Sequence, residues 1–343
     1  MRKSSLLSLL IAGCVAALMS ACGAGVKSFA DKDPLPFAAY PYVGLDGKAW
    51  PHDHLILSDI NAAYGLPANT TVSYVELNPE GKQTIVFIHG LGSYLKFWRY
   101  QLDTFAQQGY RVIAVDMLGY GKSSKPAQFP YTMEAMAEVI RAVVRAKEIE
   151  KPILVGHSMG GQTALSYAIQ YPDEPKALVL TAPAGFETFH RREQAWFRSA
   201  MTVALIKSQS EQNIWGSIAR NNFYNWKPEY EWLIEERVRV VPTEEFNSYA
   251  YANVKSVQGL SSNDFVRTSL DRIKVPTIII HGDMDRLIPS PYMHGAPTRD
   301  IMEYGHANIK GSKLVTLEGC GHTIQMDCSD RYNAEVKSFL KGL

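Results

Sequence analysis

The segment Gly156-His157-Ser158-Met159-Gly160 places a serine between two glycines in the spacing G-x-S-x-G, and that spacing can make a nucleophile. The apolar run Ile153-Leu154-Val155 leads into it and a helical pattern from Gln162 to Tyr171 leaves it, so Ser158 falls at the apex of a strand–turn–helix. A turn this sharp strains its apex residue and accepts only small neighbours. Gly156 and Gly160 meet that need, and Gly161 lets the helix pack closely behind. The strain lifts the hydroxyl off the backbone and sets it beside the free N–H groups of a helix N-terminus. Against this stands a plain glycine-rich turn with an incidental serine, which five residues alone do not exclude.

A serine hydroxyl is a weak nucleophile without a base, and the base needs a carboxylate to orient it. For a serine on such an elbow the partners follow in the order carboxylate, then histidine. Two downstream strand ends supply them. Thr277 to Ile280 runs into His281-Gly282-Asp283-Met284-Asp285, and Lys313 to Leu317 runs into Glu318-Gly319-Cys320-Gly321-His322. Either Asp283 or Asp285 could reach His322 from that loop.

The elements that must position these groups alternate. Thr71 to Leu77 reads as a strand. Thr84 to Ile88, Arg111 to Val115, Ala177 to Leu180, Thr277 to Ile280 and Lys313 to Leu317 read as mostly apolar strands, as expected where both faces are covered. Helical patterns separate them, including one carrying Phe97, Trp98, Leu102 and Phe105, one at Met133 to Lys147 and a closing one at Ala334 to Leu340. This is an α/β fold with a mostly parallel sheet, whose reactive groups gather at the C-terminal ends of the strands. The alternation stops over residues 186–270. That stretch holds four of the six tryptophans and reads as a helical cap over Ser158, between core segments 65–185 and 271–343. Residues 23–64, rich in Pro-interrupted stretches, read as a tether and an irregular arm, with His52, Asp53 and His54 in a solvated loop.

With these residues in place, the chain resembles the α/β-hydrolase superfamily from about Val72 to Leu340. His89-Gly90 is similar to its oxyanion-loop motif. Asp116, Gly119, Gly121 and Ser123 match the loop after the fourth strand, Gly156 to Gly160 the nucleophile elbow, Gly282 and Asp285 the acid loop, and Gly321-His322 the base loop. The resemblance implies Ser158 as nucleophile, His322 as general base and then acid, Asp285 rather than Asp283 as its carboxylate, and the backbone N–H groups of Leu91 and Met159 as the oxyanion hole. It implies no metal and no organic cofactor. A serine at the elbow tells against the dehalogenases and epoxide hydrolases of the superfamily, whose elbows carry Asp. The reading it favours is hydrolysis of a carboxylic ester of small or medium, fairly apolar character. Beside it stand C–C bond hydrolysis of ring-opened aromatics and aminopeptidase action of the proline iminopeptidase type. The last would need Glu235-Glu236 or Glu244-Glu245 to receive an amine; otherwise these pairs form a solvated helix face. A non-catalytic binding protein on the same scaffold is the reading of another class. His89, His157 and His281 are expected to be structural, and His294 and His306 to be exposed.

The 343-residue chain has a net charge of +1, which points to no nucleic-acid partner. At its start Arg2 and Lys3 precede an apolar run from Leu6 to Met19 that is shorter than the roughly 20 residues needed to span a bilayer, as in a signal peptide over residues 1–22. Leu18-Met19-Ser20-Ala21-Cys22 resembles a bacterial lipobox, which implies lipidation at Cys22; the competing Cys14 would leave an apolar region of only about six residues. Gly23 after it leans towards the outer membrane. The expected partners are a small-molecule substrate and, through the N-terminal lipid anchor, the membrane; the expected place is the periplasmic face of the outer membrane, or the periplasm or medium without lipid. Nothing in the sequence sets the oligomeric state. An oxidising compartment would permit a Cys320–Cys328 bridge, but two free thiols, at least one of them buried, are the expectation.

Overall fold

The computed structural model describes residues 28–343; the signal segment and Cys22 lie outside the described residues. Strand β1 (His52–Ile56) and helix α1 (Ser58–Ala63) come first, then β2 (Thr71–Leu77), β3 (Thr84–Ile88), α2 (Leu102–Gln107), β4 (Arg111–Val115), α3 (Met133–Ala146), β5 (Ile153–His157), α4 (Met159–Gln170) and β6 (Ala177–Thr181). A helical insert follows, with α5 (Arg191–Ala200), α6 (Val203–Lys207), α7 (Glu211–Trp215), α8 (Trp232–Val240) and α9 (Phe246–Leu260). The chain then returns to β7 (Thr277–Gly282), α10 (Thr298–Asn308), β8 (Lys313–Leu317), α11 (Ile324–Asp327) and α12 (Ser329–Lys341).

The eight strands form one sheet in the order β1-β2-β4-β3-β5-β6-β7-β8. β1 and β2 pair antiparallel, as do β2 and β4, and the remaining pairs are parallel. Every residue of β3, β5, β6 and β7 is buried, which is why those segments read as apolar runs without alternation. α4 lies along β5 and β6 with α3 packed on it, while α10 and α12 cover β7. The pattern of α3 places Met136, Val139, Ile140 and Val143 on its inner face, and Thr132 caps its start by accepting from the Ala135 N–H.

Three expectations are corrected. The N-terminal arm is not wholly irregular: its His52–Ile56 segment adds edge strand β1, in register with Thr71–Val75. Four of its five side chains are exposed, so the edge position left no apolar alternation to read. The helical pattern around Phe97 is divided between a 3₁₀ turn, Leu95–Trp98, and α2. Cys320 and Cys328 are joined by a disulfide, their Cα atoms 6.1 Å apart. The turn from β8 through α11 folds back to bring them within bridging distance, which sequence spacing does not reveal. Among the described residues no helix is long and apolar enough to cross a membrane.

Candidate active site

Ser158 sits between β5 and α4 with φ 53° and ψ −115°, a conformation that costs a residue with a Cβ on the order of 1–3 kcal/mol. The surroundings leave no other path. A Cβ on Gly156 would lie 2.2 Å from the Gly160 carbonyl oxygen, and one on Gly160 would lie 2.2 Å from that of Ile88. The apex is held on both sides: the Ser158 N–H donates to Thr181 O at 3.0 Å, and Ser158 O accepts from Gln162 N at 3.1 Å and Ala184 N at 3.0 Å.

His322 stands in the loop after β8, and its Nδ1 is 2.8 Å from Asp285 Oδ2. The Asp285 side chain is fully buried. Its other oxygen accepts from the N–H groups of Leu287 at 2.8 Å and Ile288 at 3.2 Å, so the carboxylate is aimed by its own loop. Asp283 is turned elsewhere: it accepts from Gly319 N at 2.7 Å and is exposed. Of the two carboxylates that the sequence left open, it ties the loop after β7 to the loop after β8 instead of reaching His322.

Ser158 and His322 line one cavity of about 420 Å³, together with Leu91. The Leu91 loop fits against the elbow because its neighbour is a glycine: a Cβ on Gly90 would lie 3.2 Å from Ser158 Cβ. His89 shapes the same loop. Its Nε2 accepts from the Met117 N–H at 3.0 Å, which puts the ring proton on Nδ1, 2.8 Å from Gly90 O. Burial draws this imidazole down to about 4, so it stays neutral. Neither the Leu91 nor the Met159 N–H donates to a protein acceptor among the described residues. Met159 opens α4, where the first N–H groups have no partner within the helix. The expected oxyanion donors are thus both free.

Asp116 and Ser123 brace the fold behind the site. Buried Asp116 accepts from the N–H groups of Leu95 and Lys122, both at 2.9 Å, and Ser123 Oγ joins Asp116 O to the Ser73 N–H. His157 donates from Nε2 to His322 O at 3.1 Å, and His281 Nε2 meets Thr316 Oγ1 at 2.9 Å. Burial lowers both imidazoles from their ordinary value, in His157 with help from the adjacent His322.

Sequence reasoning missed several groups that hold the site. Asp327 accepts from Gly321 N at 2.6 Å and from the insert's Tyr224 N and Asn225 N at 2.9 Å each, which pins the His322 loop to the insert. Its only sequence signal was an acid near the base loop. Glu236 is not on a solvated face. It is buried against Lys96 Nζ at 2.6 Å, also accepts from the Tyr94 hydroxyl, and lines the cavity. Burial pushes the Lys96 ammonium down to about 7 and the Glu236 carboxyl well up. His294, expected to be exposed, is half-buried between Glu187 and Glu193, while His306 is exposed as expected. Arg237 also lines the cavity, donates to Gly92 O and makes no ion pair among the described residues. Among the described residues no cluster of His, Cys, Asp and Glu is suited to a metal ion.

Comparison with known proteins agrees with this geometry. A relative that hydrolyses 2-hydroxy-6-oxononadienedioate and 2-hydroxy-6-oxononatrienedioate, from Paraburkholderia phymatum, is 28% identical over 76% of this chain and 88% of its own length. Lipase 1 of Psychrobacter immobilis is 24% identical over 80% of this chain and 82% of its own. The solved structure of an esterase from Exiguobacterium antarcticum superposes with a TM-score of 0.67 at 25% identity, covering 79% of this chain and 96% of the esterase. A family model described as the alpha/beta hydrolase fold matches residues 83–328, the span from the strand before the oxyanion loop to the residue before α12, and the chain belongs to that family.

Proposed function

We propose that the protein is a serine hydrolase that cleaves carboxylic esters of small or medium, fairly apolar substrates through an acyl-enzyme. The observation that carries this reading is the buried Asp285–His322 pair opening on the same cavity as the strained Ser158. In this mechanism Ser158 Oγ attacks the ester carbonyl carbon while its proton passes to His322 Nε2. The charge that develops on the carbonyl oxygen is met by the N–H groups of Leu91 and Met159. Collapse of the tetrahedral species breaks the C–O bond, and the alcohol leaves with the proton from His322. Water then attacks the acyl-enzyme by the same route and frees Ser158. Asp285 stays ionised throughout, holding the Nδ1–H tautomer and stabilising the imidazolium.

The second reading, hydrolysis of a C–C bond in a ring-opened aromatic, draws on the 28% identical Paraburkholderia relative and on Arg237, a cavity-lining guanidinium suited to an anionic substrate group. The aminopeptidase reading loses its receptors. Glu236 is matched by Lys96, Glu235 by Lys32 and Arg239, Glu245 accepts from the Phe37 N–H, and Glu244 is exposed and does not line the cavity. The test is turnover of p-nitrophenyl esters of rising chain length beside a vinylogous dienoate and an aminoacyl anilide, with fluorophosphonate labelling of wild type and Ser158→Ala. Esters are the expected substrates and only wild type should label; equal labelling of both proteins refutes the serine mechanism.

For location, we propose lipidation at Cys22 and anchoring at the periplasmic face of the outer membrane. The Cys320–Cys328 bridge suits an oxidising compartment. Radiolabelled palmitate should enter wild type and not Cys22→Ala, whereas a free Cys22 thiol in the mature chain would exclude the anchor.

A further inference from the structure

The surface around the cavity mouth has an unusual composition. No residue of α5 is buried, and Arg191, Arg192 and Arg198 stand exposed on it beside Trp196, which is 40% exposed. Tyr292, 74% exposed, lies with its ring 5.8 Å from that of Trp196, and both line the mouth. On α6 the exposed Leu205 and Lys207 flank Ile206, which is buried and faces the cavity. None of the four cations makes an ion pair among the described residues. The nearby carboxylates are engaged. Glu187 and Glu193 turn to His294, and Glu211 accepts from Ser28 Oγ and from the N–H groups of Phe29 and Ala30. Aromatic and aliphatic side chains interleaved with free cations match a lipid interface, where rings settle among headgroups and each Lys or Arg gains about 1 kcal/mol beside anionic lipid.

The start of the described chain points the same way. Phe29 is buried in the insert against Ile214, Ile234 and Val238, and Glu211, which holds Ser28, lies two residues beyond the cavity-lining Gln209. Ser28 lies six residue steps after Cys22, a reach of roughly 20 Å when extended. A lipid on Cys22 would hold the insert, and not the far side of the sheet, close to the bilayer.

We propose that the exposed face of α5 and α6 docks on the anionic phospholipid bilayer that carries the anchor, so that the mouth opens on lipid and the substrate is an acyl ester drawn from that bilayer. The inference rests on the ester-hydrolase and Cys22 readings and adds to them a docking surface and a substrate source. The full chain, purified from membranes, is mixed with phosphatidylcholine vesicles carrying brominated acyl chains, with and without phosphatidylglycerol, and tryptophan fluorescence is followed beside hydrolysis of soluble p-nitrophenyl butyrate. Wild type should be quenched more strongly when phosphatidylglycerol is present. Trp196→Phe should lose most of the quenching. The triple variant Arg191→Glu, Arg192→Glu, Arg198→Glu should lose the phosphatidylglycerol dependence, as wild type should at about 1 M salt, where the screening length falls to about 3 Å. The triple variant should keep wild-type turnover of the soluble ester. Quenching that is the same in Trp196→Phe as in wild type, or that ignores phosphatidylglycerol, overturns the docking, as does a dimer in which a second copy covers Trp196. Failure of docking with soluble-ester turnover intact leaves the hydrolase reading standing, while absent turnover in wild type ends that reading separately.

Discussion

The floor and the roof of the cavity are built on opposite principles. The floor is locked by backbone against backbone: Gly156 on Gly160, Gly160 on Ile88, and Gly282 within 2.1 Å of the Cys320 carbonyl oxygen for any added Cβ. Buried Asp116 and Asp327 tie its loops, and the disulfide closes the His322 loop on α12. The outer part of the roof, α5 to α7, is held by few side chains. α5 buries no residue, and α6 and α7 bury one each, Ile206 and Ile214. In the proposed ester hydrolysis, groups that must meet the reacting carbon within a fraction of an ångström would stand on the floor, and groups that choose among acyl chains on the roof. Rigid positioning and adaptable selection are thereby assigned to separate parts of one chain.

The largest expected effect tests the floor. Asp285→Asn should lower kcat about 10⁴-fold, roughly 5 kcal/mol of barrier, through loss of the correct His322 tautomer, while the protein stays folded. Asp283→Asn, which takes the charge from the acceptor of the Gly319 N–H but leaves an oxygen that can accept it, should cost at most about tenfold. The reverse ranking in steady-state kinetics would move the carboxylate role to Asp283.

Next comes the seam where floor meets roof. Lys96→Met leaves the buried Glu236 with the Tyr94 hydroxyl but no cation and should cost about 3–5 kcal/mol in urea unfolding, whereas Lys96→Met with Glu236→Leu should regain most of it. A single variant as stable as wild type would show that the pair does not join the two regions.

Acid should strain the floor before the roof. The folded His89 value of about 4 lies below the ordinary 6.5, so the unfolded chain takes the proton first. Its contribution is present above pH 6.5 and is lost as the pH falls towards 4, roughly 2 kcal/mol by pH 5. His157 and His281, also lowered by burial, act in the same sense, and Asp116 and Glu236, raised by burial, act against it. Unfolding measured at pH 7 and pH 5 should show a smaller acid loss in His89→Gln than in wild type; equal losses would refute a buried neutral His89.

The smallest effect belongs to the roof. Trp196→Ala should shift the ratio of kcat/KM between long and short acyl esters by roughly tenfold, with kcat on the shortest ester little changed. A uniform fall across all chain lengths would place Trp196 with the floor.

What could be read from the sequence and what could not divide along the same line. The apolar runs of β3, β5, β6 and β7 are legible because strands covered on both faces admit only apolar residues, and the glycines at Gly156 and Gly160 are legible because a strained apex excludes side chains. The order Ser158, Asp285, His322 follows from the same local rules, since each residue ends a strand or lies in the loop that follows one. β1 escaped because its side chains face solvent and carry no alternation.

Local sequence therefore determined the buried strands, the elbow and the strand ends that carry the reactive groups, because each depends on residue types within a few positions. The tertiary structure alone decided the rest. Glu236 finds Lys96 across 140 residues, Asp327 reaches Tyr224 and Asn225 across about a hundred, and Cys320 finds Cys328 through a turn whose geometry no spacing rule gives. A charge with a distant partner looks, in sequence, like any solvated charge; only burial, which belongs to the packed chain, distinguishes them.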